Sequence, residues 1–234
     1  MSKKEMMPFI PASDTMPAHL ANSQGLGNEN VSTDDMSVPR INILQALSPQ
    51  LDEDRQEYVK GAKVGLFHNS VTNDLYESIY VVNLYYEKDF AVFNKRSTGV
   101  KQFHGKFSTR AEAEESLREK GVDFNTVDIV ETGNHYCLLL DEQGNPEAPV
   151  LISLSSTKLR ISDNWNTDIR LLGGDRFGSV WELTTKKASN SKGTWATLGV
   201  KHMGWASKDL HESAKESYEA VVITLKGGHQ EAAA

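Results

Sequence analysis

The sequence predicts an α+β fold of mainly antiparallel strands, a small curled sheet or barrel that carries two to three helices. Two observations lead to this class. Short runs rich in β-branched and aromatic residues alternate with polar turns, and segments with helical apolar spacing separate the groups of strands. The resulting order, β-β-β-α-β-β-β-α-β-β-α, lacks the βαβ alternation of doubly wound enzymes, which disfavours a dinucleotide-binding fold.

The N-terminal part of the chain divides into an arm and a first group of strands. Residues 1–37 show no apolar period and are expected to form a flexible arm. A single domain is expected over residues 38–226, beginning at the first dense apolar cluster. Strands are expected over 61–68, 75–86 and 90–96, with a tight turn at the charged triplet 87–89.

The middle and C-terminal parts supply the helices. Thr109 and Glu112 form a capping-box pattern, which predicts a helix that ends near Gly121. Strands over 127–130, 135–140 and 149–154 precede a second helix that ends at Gly173. A hairpin of 177–187 with 194–202 follows, then a helix over 207–220, an apolar stretch over 221–225 and a frayed tail over 227–234.

Composition narrows the class of protein. The chain has 234 residues, a net charge of −7 and a single cysteine, Cys137, which excludes a disulfide scaffold and indicates a reducing compartment, expected to be the cytoplasm. No apolar run approaches the roughly 20 residues of a membrane span. Charge is unevenly distributed, because residues 60–106 have a balance of +3 and residues 150–208 a balance of +5. An acidic total therefore conceals two basic segments.

The sequence offers few groups for catalysis. No two histidines have the spacing of a helical zinc site, and the pair His135 and Cys137 falls in an apolar strand, where a core role is the simpler interpretation. The segment 173–178 is glycine-rich but follows a helix and lacks the Gly-Lys-Ser/Thr ending of a phosphate loop. We therefore expect no enzymatic activity, no cofactor and no metal.

Basic and aromatic residues recur together in the two basic segments, a combination typical of proteins that bind single-stranded nucleic acid. Cations contact the phosphates and aromatic rings stack on the bases. For each tryptophan the alternative is burial in the core. The candidate nucleic-acid-binding residues are Phe93, Lys95, Arg96, Lys101, Phe103, Lys106, Lys158, Arg160, Trp165, Lys186, Lys187, Lys192, Trp195, Lys201 and Trp205.

Several short segments between residues 38 and 205 stand out: VPRINILQALSP, GLFHNSVTNDLY, FAVFNKR, LSSTKLRISDNWNT and KKASNSKGTW. They resemble a group of tailed-phage proteins linked to DNA replication and recombination. The resemblance implies an OB-type barrel that binds single-stranded DNA, with Lys158, Arg160, Trp165 and the turn 192–195 at the site. It also implies replication or recombination proteins as partners, while leaving a homo-oligomer open. The chain departs from many single-strand binders because it ends in KGGHQEAAA instead of an acidic tail.

Two other functions remain open on the sequence. The acidic segment 107–149 and the acidic ends suit a phage adaptor, or an inhibitor of a host enzyme, that engages a basic partner. A DNA-processing enzyme is the third alternative, although no metal-carboxylate motif is visible.

Overall fold

The computed structural model describes residues 38–191 and 193–231, and it confirms the α+β class with mostly antiparallel strands and three α-helices. The predicted arm at 1–37 lies outside the described residues, as do Lys192 and residues 232–234. Within the described ranges, none of the helices combines the length and the apolar character needed to cross a membrane.

The described chain has three groups of strands separated by helices, as expected, but the groups contain five, two and two strands where three, three and two were expected. The strands expected at 127–130 and 135–140 form one continuous strand, and the strand at Phe103–Phe107 was not expected. The strands are β1 (Ile41–Ile43), β2 (Phe67–Asn69), β3 (Leu75–Tyr76), β4 (Ser78–Asn94), β5 (Phe103–Phe107), β6 (Val127–Leu140), β7 (Pro146–Ser155), β8 (Ser179–Asn190) and β9 (Gly193–Trp205). The α-helices are α1 (Arg110–Glu119), α2 (Leu159–Leu172) and α3 (Lys208–Glu231).

The main sheet is built around β4, in the antiparallel order β7-β6-β4-β8-β9. On the side away from β6, β4 pairs with β8 over 78–82 and with β5 over 90–93. β1, β2 and β3 form a separate small antiparallel sheet.

The main sheet is open, so the OB-like barrel is not confirmed. The chain around β1 hydrogen-bonds to both outer strands of the sheet. Leu151 N–H of β7 donates to Pro39 O at 2.8 Å, and Ala196 of β9 exchanges two hydrogen bonds with the side chain of Gln45. Backbone groups satisfied in this way at both edges have no need to pair with each other.

The turn expected at 87–89 is wrong, because β4 continues through it without interruption for 17 residues. The charges of the triplet are satisfied across the sheet. Lys88 forms an ion pair with Glu131 of β6 at 2.6 Å, and Asp89 accepts from Lys106 of β5 at 2.8 Å. A charged triplet whose partners lie on neighbouring strands is compatible with a strand interior.

The two faces of the main sheet hold separate apolar cores. α2 and the small sheet cover one face, where Ile41, Phe67, Val81, Cys137, Trp165 and Trp181 are buried together. α3 covers the other face, which buries Val82, Leu84, Leu138, Leu151, Phe177 and Leu210. Strand alternation explains the division, since neighbouring residues such as Val81 and Val82 point to opposite faces.

The helices differ in how well local sequence predicts them. The capping box of α1 is confirmed, with the Thr109 side chain accepting from Glu112 N–H and the Glu112 side chain accepting in return. α2 ends at Gly173, whose φ of 77° favours glycine. α3 continues past the expected end at 220 because Val221 packs on the sheet with Leu210 and Ala214. A frayed tail was expected from residue 227, but α3 extends through the first part of it, to Glu231.

Candidate nucleic-acid interface

Two phenylalanines form an exposed pair where β4 ends and β5 begins. Phe93 and Phe103 lie opposite each other in the two strands, at a register shift next to Val92. Their ring centroids are 5.2 Å apart, and the two residues are 43 % and 57 % exposed. The pair thus presents aromatic surface to solvent at one end of the main sheet.

Three basic residues lie in the loop between these phenylalanines. The loop contains a short 3-10 helix at Arg96–Thr98 and a left-handed Gly99. Lys95 is half-buried, whereas Arg96 and Lys101 are exposed, and none of the three forms an ion pair within the described ranges. Residues 93–103 are called the hairpin tip below.

The backbone of the hairpin tip is tied to the rest of the sheet. Asn94 N–H donates to Gln102 O at 2.9 Å, and Lys95 N–H donates to Thr126 O at 2.8 Å. Asn94 Oδ1 also lies 2.7 Å from His104 Nε2. A loop anchored in this way holds its cations near the phenylalanine pair at little entropic cost on binding.

Lys106 stands apart from the hairpin tip because its charge is already compensated. Its Nζ lies 2.8 Å from Asp89 Oδ2, and the same carboxylate accepts a hydrogen bond from Asn134. Asp89 is buried, and Lys106 neutralises its charge. Lys106 therefore offers little free charge to a ligand.

The second basic group, on the β8–β9 hairpin, is divided between two faces. Lys186 and Trp195 lie on the same face by strand alternation, and Lys187 lies on the opposite face. Lys201 pairs with Glu182 at 3.3 Å. Lys192 lies outside the described residues.

The two basic groups occupy opposite ends of the main sheet. Ser78, at the start of β4, pairs with Thr184, and the β8–β9 hairpin continues away from it, whereas the hairpin tip follows the other end of β4. A 17-residue strand spans about 50 Å. The structure therefore does not bring the two groups into one short binding surface.

The remaining candidates have different environments. Trp165 is 1 % exposed and stacks on His135, so it has no ring face available to a base, and its expected role is not supported. Trp205 is 60 % exposed but lies ten residues along β9 from Trp195. Lys158 is half-buried, and burial lowers the pKa of its amine. Arg160 is exposed on the first turn of α2.

A cleft of about 730 Å³ in the main sheet, called the sheet cleft below, was not expected from the sequence. It arises because β8 pairs with β4 only as far as Val82, whereas β5 pairs with β4 only from Phe90 onward, leaving 83–89 without a strand on that side among the described residues. Arg176, in the 3-10 helix before β8, and Lys215 of α3 line it. Only long-range pairing brings these residues together.

Arg176 belongs to the glycine-rich segment 173–178, which offered one sequence signal for this site. The structure places that segment after α2, as expected for a segment that is not a phosphate loop. The segment contributes to the cleft through the Arg176 side chain and not through its backbone N–H groups. The glycine pattern of a phosphate loop therefore does not predict this contribution.

Comparison with known proteins identifies the family of the chain. A family model described as Pam3 phage gp34-like protein matches residues 3–224, a range that contains both the hairpin tip and the sheet cleft. No curated protein and no solved structure matches the chain.

Proposed function

The chain belongs to the Pam3 phage gp34-like protein family, and on that premise we propose that it binds single-stranded DNA and is not an enzyme. In this proposal the protein acts in the host cytoplasm during phage DNA replication or recombination. Protein partners in those processes form part of the same proposal.

The hairpin tip is the observation that carries the proposal. Phe93 and Phe103 provide neighbouring aromatic surfaces, and Lys95, Arg96 and Lys101 lie beside them in the same loop and form no ion pair in the described part of the chain. Bases stack on exposed rings whatever their sequence, while cations contact the phosphates between them. This combination favours a single strand, because bases stacked within a duplex are not available to the rings.

The proposal does not require a closed barrel. Stacking surface and charge are both local to the hairpin tip, and the backbone bonds of Asn94 and Lys95 fix it to the sheet. Lys186 with Trp195 on the β8–β9 hairpin is the candidate for a second contact, at the other end of the main sheet. A single strand of DNA that contacted both sites would lie along the long axis of the main sheet.

A charge variant with a matched control tests the proposal. The variant Lys95→Ala/Arg96→Ala/Lys101→Ala removes the three cations of the hairpin tip. Its control, Lys60→Ala/Lys63→Ala/Arg170→Ala, removes three exposed basic residues that also lack an ion pair in the described ranges. Both variants lower the net charge equally, so a difference in DNA binding between them depends on where the removed charges lie.

The measurement is the affinity for a labelled single strand as a function of salt. Each lost phosphate contact makes the negative slope of log K against log salt shallower by about 0.7. The tip variant is therefore expected to have a slope about 2 units shallower than that of the wild-type protein. The control is expected to retain the wild-type slope. Equal slopes for the wild-type protein and the tip variant would contradict the assignment.

A further inference from the structure

Arg176 is held at the wall of the sheet cleft by two amide side chains. Its Nε–H donates to Asn83 Oδ1 at 2.7 Å, and Nη2 donates to Asn166 Oδ1. The guanidinium also lies against Tyr86, with Cζ 5.4 Å from the ring centroid. A guanidinium has five N–H donors, and those of Nη1 have no acceptor among the described residues.

The positive charge of Arg176 is not compensated by an acid in the described part of the chain. Asp175, its neighbour in sequence, also lines the cleft, but its carboxylate lies 3.2 Å from Nε2 of His211, another residue of the lining, and forms no ion pair with Arg176. Burial lowers the pKa of the Arg176 guanidinium, because a half-buried position disfavours the charged form. An anion in the cleft would supply the missing counter-charge.

Lys215 adds a second cation to the same cleft. It is exposed on α3, lines the cleft and forms no ion pair within the described ranges. A fixed guanidinium fork and a mobile ammonium group are complementary in use, since the fork orients an oxyanion and the ammonium adds charge.

The remaining walls are rich in aromatic rings. Tyr85, Tyr86, Phe177 and Tyr218 all line the cleft. Phe177 and Tyr218 have ring centroids 5.4 Å apart, and Tyr85 and Tyr218 have centroids 6.4 Å apart. The volume of about 730 Å³ is that of a small-molecule site and far exceeds what one phosphate ion needs.

We propose that the sheet cleft binds a nucleotide, with its phosphate on Arg176 and Lys215 and its base against the tyrosine-rich wall. The nucleotide is either free or the 5′-terminal nucleotide of a DNA strand, since both present a phosphomonoester next to a planar base. The site is separate from the hairpin tip, because Tyr86 and Phe93 lie seven residues apart on β4, about 23 Å along the strand.

Calorimetric titration of the full chain with dAMP, dTMP and inorganic phosphate tests the proposal. The wild-type protein is expected to bind the nucleotides saturably and more tightly than inorganic phosphate. Lys215→Ala is expected to weaken nucleotide binding about tenfold, the effect of losing one charge-assisted hydrogen bond. Arg176→Lys, which keeps the charge but loses the fork, is expected to weaken it at least as much.

Lys208→Ala is the matched control, because Lys208 lies on the same helix, pairs with Glu212 and does not line the cleft. Nucleotide binding should be unchanged in this variant. Thermal unfolding of every variant identifies any loss of folding, and Lys215→Ala at an exposed position keeps the test decisive if Arg176→Lys is unstable. Absence of saturable nucleotide binding, or equal binding by all variants, overturns the proposal, as does equal affinity for inorganic phosphate.

The two sources of the nucleotide are distinguished with oligonucleotides. If a strand end is the ligand, a 5′-phosphorylated single strand binds more tightly than its 5′-hydroxyl form, and Lys215→Ala abolishes the difference. If a free nucleotide is the ligand, dAMP or dTMP binds and the two oligonucleotides do not differ. The triple variant of the hairpin tip should retain nucleotide binding, so failure of the sheet-cleft site and failure of single-strand binding at the tip give different results.

Discussion

His135 stacks on Trp165 in the core beneath α2, with ring centroids 4.5 Å apart and ring planes 19° from parallel. Its Nδ1 accepts from Asn83 Nδ2–H at 3.0 Å, and its Nε2–H donates to Ser162 Oγ at 2.8 Å. This tautomer is assigned from the hydrogen bonds, because the Oδ1 of Asn83 already accepts from Arg176. A neutral histidine therefore connects the sheet, α2 and the cation of the sheet cleft.

Acid is expected to destabilise the protein through His135. Desolvation, with a smaller effect of the Arg176 charge, lowers the pKa of His135 to about 3. Because this lies below the unfolded value, the stabilisation is complete above about pH 6.5 and is lost as pH falls toward 3. Between pH 7 and pH 5 this group alone should cost about 2 kcal/mol in the free energy of unfolding.

The variant His135→Gln isolates this contribution, since it removes the titrating group while keeping a polar side chain. Denaturant unfolding at pH 7 and pH 5 should show a larger loss of stability in the wild-type protein than in the variant. Equal losses would show that His135 does not titrate differently in the folded and unfolded states.

Gly133 is expected to tolerate no side chain. A β-carbon at this position of β6 would collide with the Ser162 side chain of α2 and lie 3.2 Å from the Tyr86 ring. Gly133→Ala should lower the free energy of unfolding by about 1–3 kcal/mol, because the Ser162 side chain, which hydrogen-bonds to His135, must be displaced. Gly178→Ala is the control, since its β-carbon would meet only the Trp205 ring at 3.9 Å. Equal stability of the two variants would refute the close approach of α2 to β6.

Gln45 is expected to protect the exposed edge of the sheet. Its Nε2 donates to Ala196 O at 2.9 Å and its Oε1 accepts from Ala196 N–H at 3.0 Å, as a neighbouring strand would. The variant Gln45→Ala leaves the N–H and C=O groups of the buried Ala196 without these partners. This should lower the free energy of unfolding by about 1–3 kcal/mol. Light scattering on heating should also rise, because a free strand edge favours aggregation. Gln143→Ala, in an exposed turn, should change neither measurement.

The phenylalanine pair is expected to contribute to single-strand affinity through stacking. Phe103→Ala and Phe93→Ala should each weaken binding by about 5- to 150-fold, which corresponds to about 1–3 kcal/mol for one stacked base. Phe124→Ala provides the control, because Phe124, in the 3-10 helix before β6, is also exposed but has its ring against Arg118 of α1. If Phe124→Ala weakens binding as much as Phe103→Ala does, the hairpin tip is not the stacking surface.

Local sequence predicts those parts of this fold whose interactions are local. The capping box of α1 joins Thr109 to Glu112, three residues apart, and the hairpin of β8 and β9 closes across a short turn. The turn expected at 87–89 fails for the opposite reason. Charges typical of a turn are satisfied there by Glu131 and Lys106, on two other strands, and no local pattern reveals such partners.

The candidate sites show the same contrast between local and long-range interactions. The aromatic and basic residues of the hairpin tip could be predicted because Phe93, Arg96 and Phe103 are close in sequence, whereas the hairpin of β4 with β5 that holds them was not expected. The separation of the two basic segments to opposite ends of the main sheet follows from the register of β4 with β8. The sheet cleft combines Tyr86, Arg176 and Lys215, which are brought together only by the gap beside β4 and the position of α3.

Titration of fluorescently labelled single-stranded and duplex oligonucleotides with the wild-type protein, followed by anisotropy at two salt concentrations, tests the central claim most directly. We predict saturable binding that is tighter for the single strand and weakens steeply at the higher salt concentration. Absence of binding to the single strand at low salt, or equal affinity for the duplex, would contradict the claim that this phage protein binds single-stranded DNA.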